Sequence, residues 1–334
     1  MRPPPATATG YLLVFAAALL WSLIGPFSRA VLDAGVGPLE IAFWRAVMAG
    51  AAFALHALLT RQARLRPWPA GGTDLAALAA FALVGVTLFY AALALAIDAG
   101  GISLAFVLLY TAPAFVALLA WPLLGEPLTG GKLALVGLAL AGVVLVARAG
   151  DGGAAGGAAG GASVGAAAIA WGLAAGASYA SYYLFGKWVL HRYAPVTVFA
   201  WVLPLGALGL LPLVRFAPDK PAEAWAWLVV LSLVSTYLAY LVYYTGLRRT
   251  EASRAVLVAT VEPVAAAALA AALFGERLGW WGWAGATLVV AAAAGAALVR
   301  PRARSRAAAA RAGRPTAGDA GDVADHAPAG PDGR

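Results

Sequence analysis

The sequence predicts an all-α integral membrane protein of about ten transmembrane helices, arranged as two inverted five-helix repeats. Three observations predict it. Of the 334 residues, 63% are hydrophobic and 11% charged, against roughly 25% charged in an ordinary soluble domain, so the chain holds more apolar side chain than one soluble core can bury. Apolar runs near the roughly 20 residues that cross a bilayer core recur along the chain up to Val299. A shift of 150 positions also lays Trp21 on Trp171, Ser28 on Ser178, Tyr90 on Tyr240, Ser103 on Ser253, Pro113 on Pro263 and Gly125-Glu126 on Gly275-Glu276. In a chain this rich in Ala and Leu, the Trp, Tyr, Pro and Gly-Glu matches carry the weight.

Taken in order, residues 1–10 form a short N-terminus with one basic residue, Arg2, expected in the cytoplasm. The run 11–32 is too long for the apolar core of a signal peptide and has a counterpart later in the chain, so it reads as a retained span. Spans 39–59, 74–97, 101–124 and 131–148 complete a first repeat over 11–148. The tract AGDGGAAGGAAGGA then supplies a flexible Gly/Ala linker, placed at 149–161. A second repeat over 162–299 holds spans 162–186, 196–214, 224–247, 251–275 and 280–299. Residues 300–334 are polar and turn-rich, as expected of a disordered cytoplasmic tail.

Charge placement orients the spans. Lys and Arg concentrate on cytoplasmic loops close to the membrane. With the N-terminus inside, the inner connections hold Arg61, Arg64, Arg66, Lys132, Lys187, Arg192, Arg248, Arg249 and Arg254, and the tail opens with Arg300, Arg302, Arg304 and Arg306. The outer connections hold Arg148, Arg215, Lys220 and Arg277. Both termini are therefore expected to be cytoplasmic, in an inner or plasma membrane. Five spans per repeat is an odd number, so the second repeat enters from the opposite side. The net charge of +8 then reads as this topological bias and not as a nucleic-acid surface. With no cysteine, disulfides, thiol catalysis and Cys-based metal sites are excluded, and no cofactor is indicated.

Paired interruptions in inverted repeats point to a secondary transporter with its substrate site near the midplane. Pro113 and Pro263 fall halfway along their spans. Each removes a backbone donor and crowds the carbonyl four residues back, at Leu109 and Ala259. Such carbonyls persist at membrane depth only where protein or a water-filled cavity satisfies them, so the two prolines point to one shared cavity. Glu262 sits beside Pro263 in one half only, since its repeat partner is Ala112. A carboxylate at that depth is costly and marks a functional site by default; the alternative is a neutral carboxyl that hydrogen-bonds a neighbouring helix.

Helical spacing proposes further lining residues. Tyr240 and Tyr244, with Tyr237, lie on span 224–247, and Trp171, Ser178 and Tyr182 on 162–186. The first half adds Tyr90, Tyr110 and Thr111, with Trp21 as the partner of Trp171. Aromatic rings can pack on an organic solute or hold a cation over their faces, although Tyr and Trp taken singly also mark the membrane interface. Ala255, Ala259, Glu262, Ala266 and Ala270 form a small-residue stripe suited to close helix approach or open space. Arg45 is expected to snorkel to the outer interface beside Glu40 or Asp33, with a role in binding a substrate anion as the alternative. Glu126 and Glu276 are expected at water-exposed helix ends, where a glycine and an acid suit capping. His56, His191 and His326 are dispersed along the chain and form no metal or triad constellation.

At LLWSLIGPFSRA, PLEIAFWRAVMAG and the two long stretches that carry the duplicated P…LGE pattern, around LLYTAPAFVALLAWPLLGE and ATVEPVAAAALAAALFGE, the chain resembles the drug/metabolite transporter superfamily and its EamA-type ten-helix permeases. The likeness covers most of 11–299. It implies an alternating-access carrier of small organic metabolites such as amino acids, often an exporter, driven by an ion gradient such as protons or by the solute's own gradient. The expected partners are a small-molecule substrate and the lipid bilayer. A membrane-embedded enzyme or lipid-handling protein is the alternative, and it would need clustered His, Asp or Ser groups at an interfacial site.

Overall fold

A computed structural model describes residues 8–60, 72–150, 165–189, 192–274 and 279–298. The expected linker and tail lie largely or wholly outside these, as does Glu276. Among the described residues every regular element is a helix. The first span is two helices, α1 (Ala8–Ser22) and α2 (Ile24–Asp33), followed by a turn on which Gly35 takes φ +84°. Next comes α3 (Pro38–Leu59), which opens on a proline in its first turn, where the missing N–H leaves nothing unsatisfied. The third and fourth spans are α4 (Gly72–Phe81), a π-helical turn (Ala82–Leu88), α5 (Phe89–Leu109) and α6 (Ala112–Leu124). The fifth is α7 (Gly130–Gly150).

The second half mirrors this series. It runs α8 (Ala166–Val189), α9 (Pro195–Leu210) with a 3-10 turn at Leu211–Leu213, and α10 (Ala222–Ser232). A π turn (Leu233–Leu238) leads to α11 (Ala239–Leu247), then α12 (Ala252–Ala259), α13 (Val261–Phe274) and α14 (Trp280–Leu298). Among the described residues, eight helical stretches are long and apolar enough to cross a membrane, and Gly130–Leu145 is a shorter apolar helix. By contrast α8 carries serines, glycines and tyrosines, and buries 13 of its 24 residues inside the bundle.

The 150-residue repeat shows in the irregularities as well as in the helices. The π turns at Ala82–Leu88 and Leu233–Leu238 occupy matching positions, and so do the breaks at Tyr110–Thr111 and Thr260. Each break comes before its proline, and a threonine hydroxyl satisfies a carbonyl there. Thr111 Oγ1 donates to Leu108 O at 2.6 Å and Thr260 Oγ1 to Leu257 O at 2.5 Å. Packing has the same symmetry. Helices α3 and α9 pair, α7 and α14 pair, and the contact of α8 with α5 is exchanged for that of α1 with α11.

Helix α5 must fold back on itself. Phe89 stacks on Tyr179 at 5.5 Å, and Leu108 lies against Gly172 and Gly176, so both ends of α5 meet the same eight-residue stretch of α8. From Phe89 to Leu108 is 19 residues, which as straight helix would rise about 28 Å; the stretch of α8 they share rises only about 10 Å. A connection between the third and fourth spans, near the predicted boundary at 97–101, meets this requirement.

Candidate functional site

The two helix breaks border a cavity of about 120 Å³ lined from both repeats. A single water needs roughly 10–15 Å³ on the same footing, so the cavity has the size for a small organic group and not only an ion. Trp21 and Ile24 enter from the first span, Arg45 from α3, and Phe89, Tyr90 and Leu93 from the start of α5. Leu109 and Tyr110 stand at the first helix break and Glu262 just past the second. Apart from Phe106, the remaining wall is tyrosine: Tyr179, Tyr182 and Tyr183 from α8, and Tyr240, Tyr243 and Tyr244 from α11.

Two charged groups face this space. Glu262 lies in the first turn of α13, midway along Ala252–Phe274, and accepts a hydrogen bond from the Tyr179 hydroxyl at 3.3 Å. Arg45 is 7% exposed. Its Nε donates to Thr236 Oγ1 at 3.2 Å, and its guanidinium lies 5.6 Å from the centre of the Tyr90 ring. Thr236 belongs to the π turn, so the irregular backbone of the second repeat holds an arginine of the first.

The expectation that Arg45 snorkels outward is therefore corrected. Its stem starts on the inward face of α3, and Glu40, its supposed partner, is engaged elsewhere. Glu40 is buried and pairs with Lys220 at 2.7 Å, while accepting from the Ala217 N–H at 2.8 Å and from Trp44 Nε1 at 3.1 Å.

Among the other residues expected at the site, the structure brings Trp21, Tyr90, Tyr110, Tyr182, Tyr240 and Tyr244 to the cavity with Glu262. Pro113 and Pro263 sit just after the breaks that expose it. Three others do not line it. Trp171 is 38% exposed, on the outer side of α8. Ser178 is sealed in helix packing, and Thr111 turns its hydroxyl back to Leu108 O. Tyr237 also leaves the expected face and bonds His56 Nδ1 through its hydroxyl at 2.7 Å. Helical spacing misplaces it because it lies in the π turn, where 3.6 residues per turn no longer holds.

Sequence reasoning missed Tyr179, Tyr183 and Tyr243. A signal was present: YASYY at 179–183 and YLVYY at 240–244 repeat one i, i+3, i+4 pattern, the spacing of a single helix face. The two triads meet edge to face, Tyr183 against Tyr243 at 5.6 Å and Tyr182 against Tyr240 at 5.7 Å. Tyr244 donates to Tyr182 O at 2.9 Å and presses on Gly186, where a Cβ would stand 2.3 Å from its ring. Tyr183, Tyr243 and Tyr244 are each at most 1% exposed and floor the cavity toward the end of the bundle rich in Lys and Arg. The lining residues nearer the opposite end are more open, with Phe106 38% exposed.

The expected water-exposed setting of Glu126 is a second correction. Gly125 closes α6 in the left-handed conformation at φ +66°, with its N–H on Trp121 O and that of Glu126 on Ala120 O, both at 3.1 Å. This turn directs Glu126 into the bundle, where it is 7% exposed and accepts from the Ala252 and Ser253 N–H groups at 2.6 and 3.1 Å. It caps α12, a helix of the other repeat, and not its own successor α7.

The model of the EamA-like transporter family matches residues 8–148 and again 166–298. The chain belongs to the EamA-like transporter family. This EamA-like chain is 28% identical over 107 residues to an "Uncharacterized transporter" of Archaeoglobus fulgidus, a match spanning 32% of the chain and 39% of that relative. A solved crystal structure superimposes with a TM-score of 0.71 at 19% identity, covering 87% of this chain and 98% of the other. At that identity the likeness speaks for the fold. The two matches fall on the two helical repeats, and the described helices that are long and apolar enough to cross a membrane lie within them.

Proposed function

We infer that this EamA-like protein carries small organic metabolites, amino acids among them, across the cell membrane by alternating access around the tyrosine-walled cavity, in the export direction. One observation carries the reading. Arg45 and Glu262, one from each repeat, face one cavity between aromatic walls. A solute with an anionic group meets Arg45, a cationic or protonated group meets Glu262, and an apolar body packs on the rings. The buried hydroxyl of Tyr243 makes no hydrogen bond among the described residues and adds a polar contact for a bound molecule.

Glu262 also supplies a proton-coupling group, since a carboxylate at mid-depth in a span takes a proton, a partner or water to stay there. The Lys/Arg asymmetry supports a plasma-membrane orientation with both termini cytoplasmic. The extents 11–148 and 162–299 for the repeats, joined by a linker and followed by a tail, complete the proposed organisation.

The test is flux of labelled metabolites in sealed proteoliposomes, with the parent, Glu262→Gln and Arg45→Gln compared across a solute panel. Glu262→Gln keeps shape and hydrogen bonding but removes charge, so gradient-driven net transport should be lost while expression stays normal. Arg45→Gln should weaken solutes that bear a carboxylate and spare those without one. Parent-like flux in Glu262→Gln across the pH range, with Arg45→Gln equally silent, would sink the reading.

A further inference from the structure

We propose that the buried polar cluster centred on Glu126 is a latch between the repeats that holds the Lys/Arg-rich end of the bundle shut, and that it sets the balance between the two open states of the carrier. The proposal rests on the alternating-access reading given above.

The cluster joins the two halves at one place. From the first repeat come Glu126 and Lys132, 7% and 6% exposed. From the second come Glu251, Ser253 and Arg254 at the start of α12. Besides its two backbone contacts, Glu126 accepts from the Ser253 hydroxyl. Lys132 Nζ donates to Ser253 Oγ at 2.8 Å, pairs with Glu251 at 3.0 Å and stands 3.8 Å from Glu126. Arg254 pairs with Glu251 at 3.0 Å and reaches Ala296 O at 3.3 Å. Within the second repeat, Lys187 donates to the Leu247 and Thr250 carbonyls.

The local chemistry of α12 makes Glu126 the central member. The first N–H groups of a helix have no partner within it, and the N-cap position here, Glu251, makes no side-chain cap. A carboxylate from the other repeat supplies the missing acceptors and sits at the positive end of the helix dipole. All eight residues of α12 are buried, so water does not readily replace it.

Position turns this tie into a gate. Lys187 lies four residues beyond Tyr183, and Leu247 four beyond Tyr243. The cluster is therefore one helical turn below the tyrosine floor of the cavity. Across the break at Thr260, α12 leads directly into α13 with Glu262, nine residues from Ser253, about 14 Å of helix rise. A passage from the cavity to this end must separate α12 from Glu126 and Lys132. The solute-facing carboxylate and the latch occupy the two arms of one broken helix.

The experiment uses the cysteine-free chain with one cysteine at Leu109, a cavity-lining position, in sealed vesicles of both orientations with an impermeant maleimide. The parent should label from both sides, more slowly from the Lys/Arg-rich end. Glu126→Gln keeps the shape but removes the charge-assisted bonds, and should speed labelling from that end at least about tenfold. It should slow labelling from the other end. Ser253→Ala, which deletes one hydroxyl and leaves both backbone caps, should give a smaller change of the same sign and keeps the test open if Glu126→Gln does not fold. A parent that labels from one side only would overturn the alternating-access reading itself. A parent that labels from both sides, with a folded Glu126→Gln or Ser253→Ala of unchanged rates, would overturn the latch alone.

Discussion

Gly176→Ala probes how closely the helix breaks are fitted. A Cβ on Gly176 would stand 2.6 Å from Thr111 Oγ1, 2.7 Å from Leu108 O and 3.2 Å from Leu109 O. Two of these three are backbone atoms at the first break, which cannot swing aside as a side chain can. Ordinary contact begins near 3.4 Å, so α8 must retreat by 3.4 minus 2.7, or 0.7 Å. Overpacking of this kind costs about 1–3 kcal/mol, and a loss near 2 kcal/mol lowers Tm by roughly 3 °C for a chain of 334 residues. The displacement also reaches the site. Tyr179 is three residues along the same helix and holds Glu262 at 3.3 Å; a retreat of several tenths of an ångström takes that contact past hydrogen-bond range. The assay is thermal unfolding of the purified protein in detergent, with Gly137→Ala as the control. Gly137 is also helical but nothing stands within 4 Å of its added Cβ, so that change should be neutral or stabilise by up to about 1 kcal/mol. A Gly176→Ala protein that melts with the parent, or a Gly137→Ala protein that loses as much, refutes the packing argument.

Lys220→Met removes the cation from the fully buried Glu40 side chain and should destabilise by about 3 kcal/mol, because an uncompensated buried carboxylate is left behind; adding Glu40→Gln should recover part of that loss in the same melt, and an additive double variant would contradict the pairing. Orientation is checked with single cysteines at two exposed positions at opposite ends, Asp33 and Arg248. An impermeant thiol reagent on intact cells should label Asp33→Cys and spare Arg248→Cys, and the reverse pattern would invert the proposed topology.

The sequence by itself determined the solvent, the spans and the repeat, because these depend on summed properties: apolar run length, Lys/Arg placement, and matches that survive a shift of 150 positions. The positions of the two helix breaks were legible for the same local reason, since a proline removes its own N–H from the helix wherever the chain goes next, and the two mid-span prolines recur at matching places in both repeats. Glu262 stood out because a carboxylate in an apolar run is conspicuous without any partner. What only the tertiary structure decided was direction and partnership. Arg45 reads as an interfacial arginine until α3 is packed and Thr236 is presented to it by a π turn, and a π turn has no sequence periodicity of its own. That turn also carries Tyr237 off the face which regular helical spacing assigns it. Glu126 looks like an ordinary helix-end acid, yet its partners, Ala252 and Ser253, are 126 and 127 residues away. Its role depends on a left-handed glycine that aims it and on a helix of the other repeat that begins without a cap, and only the packing of the two halves brings those together.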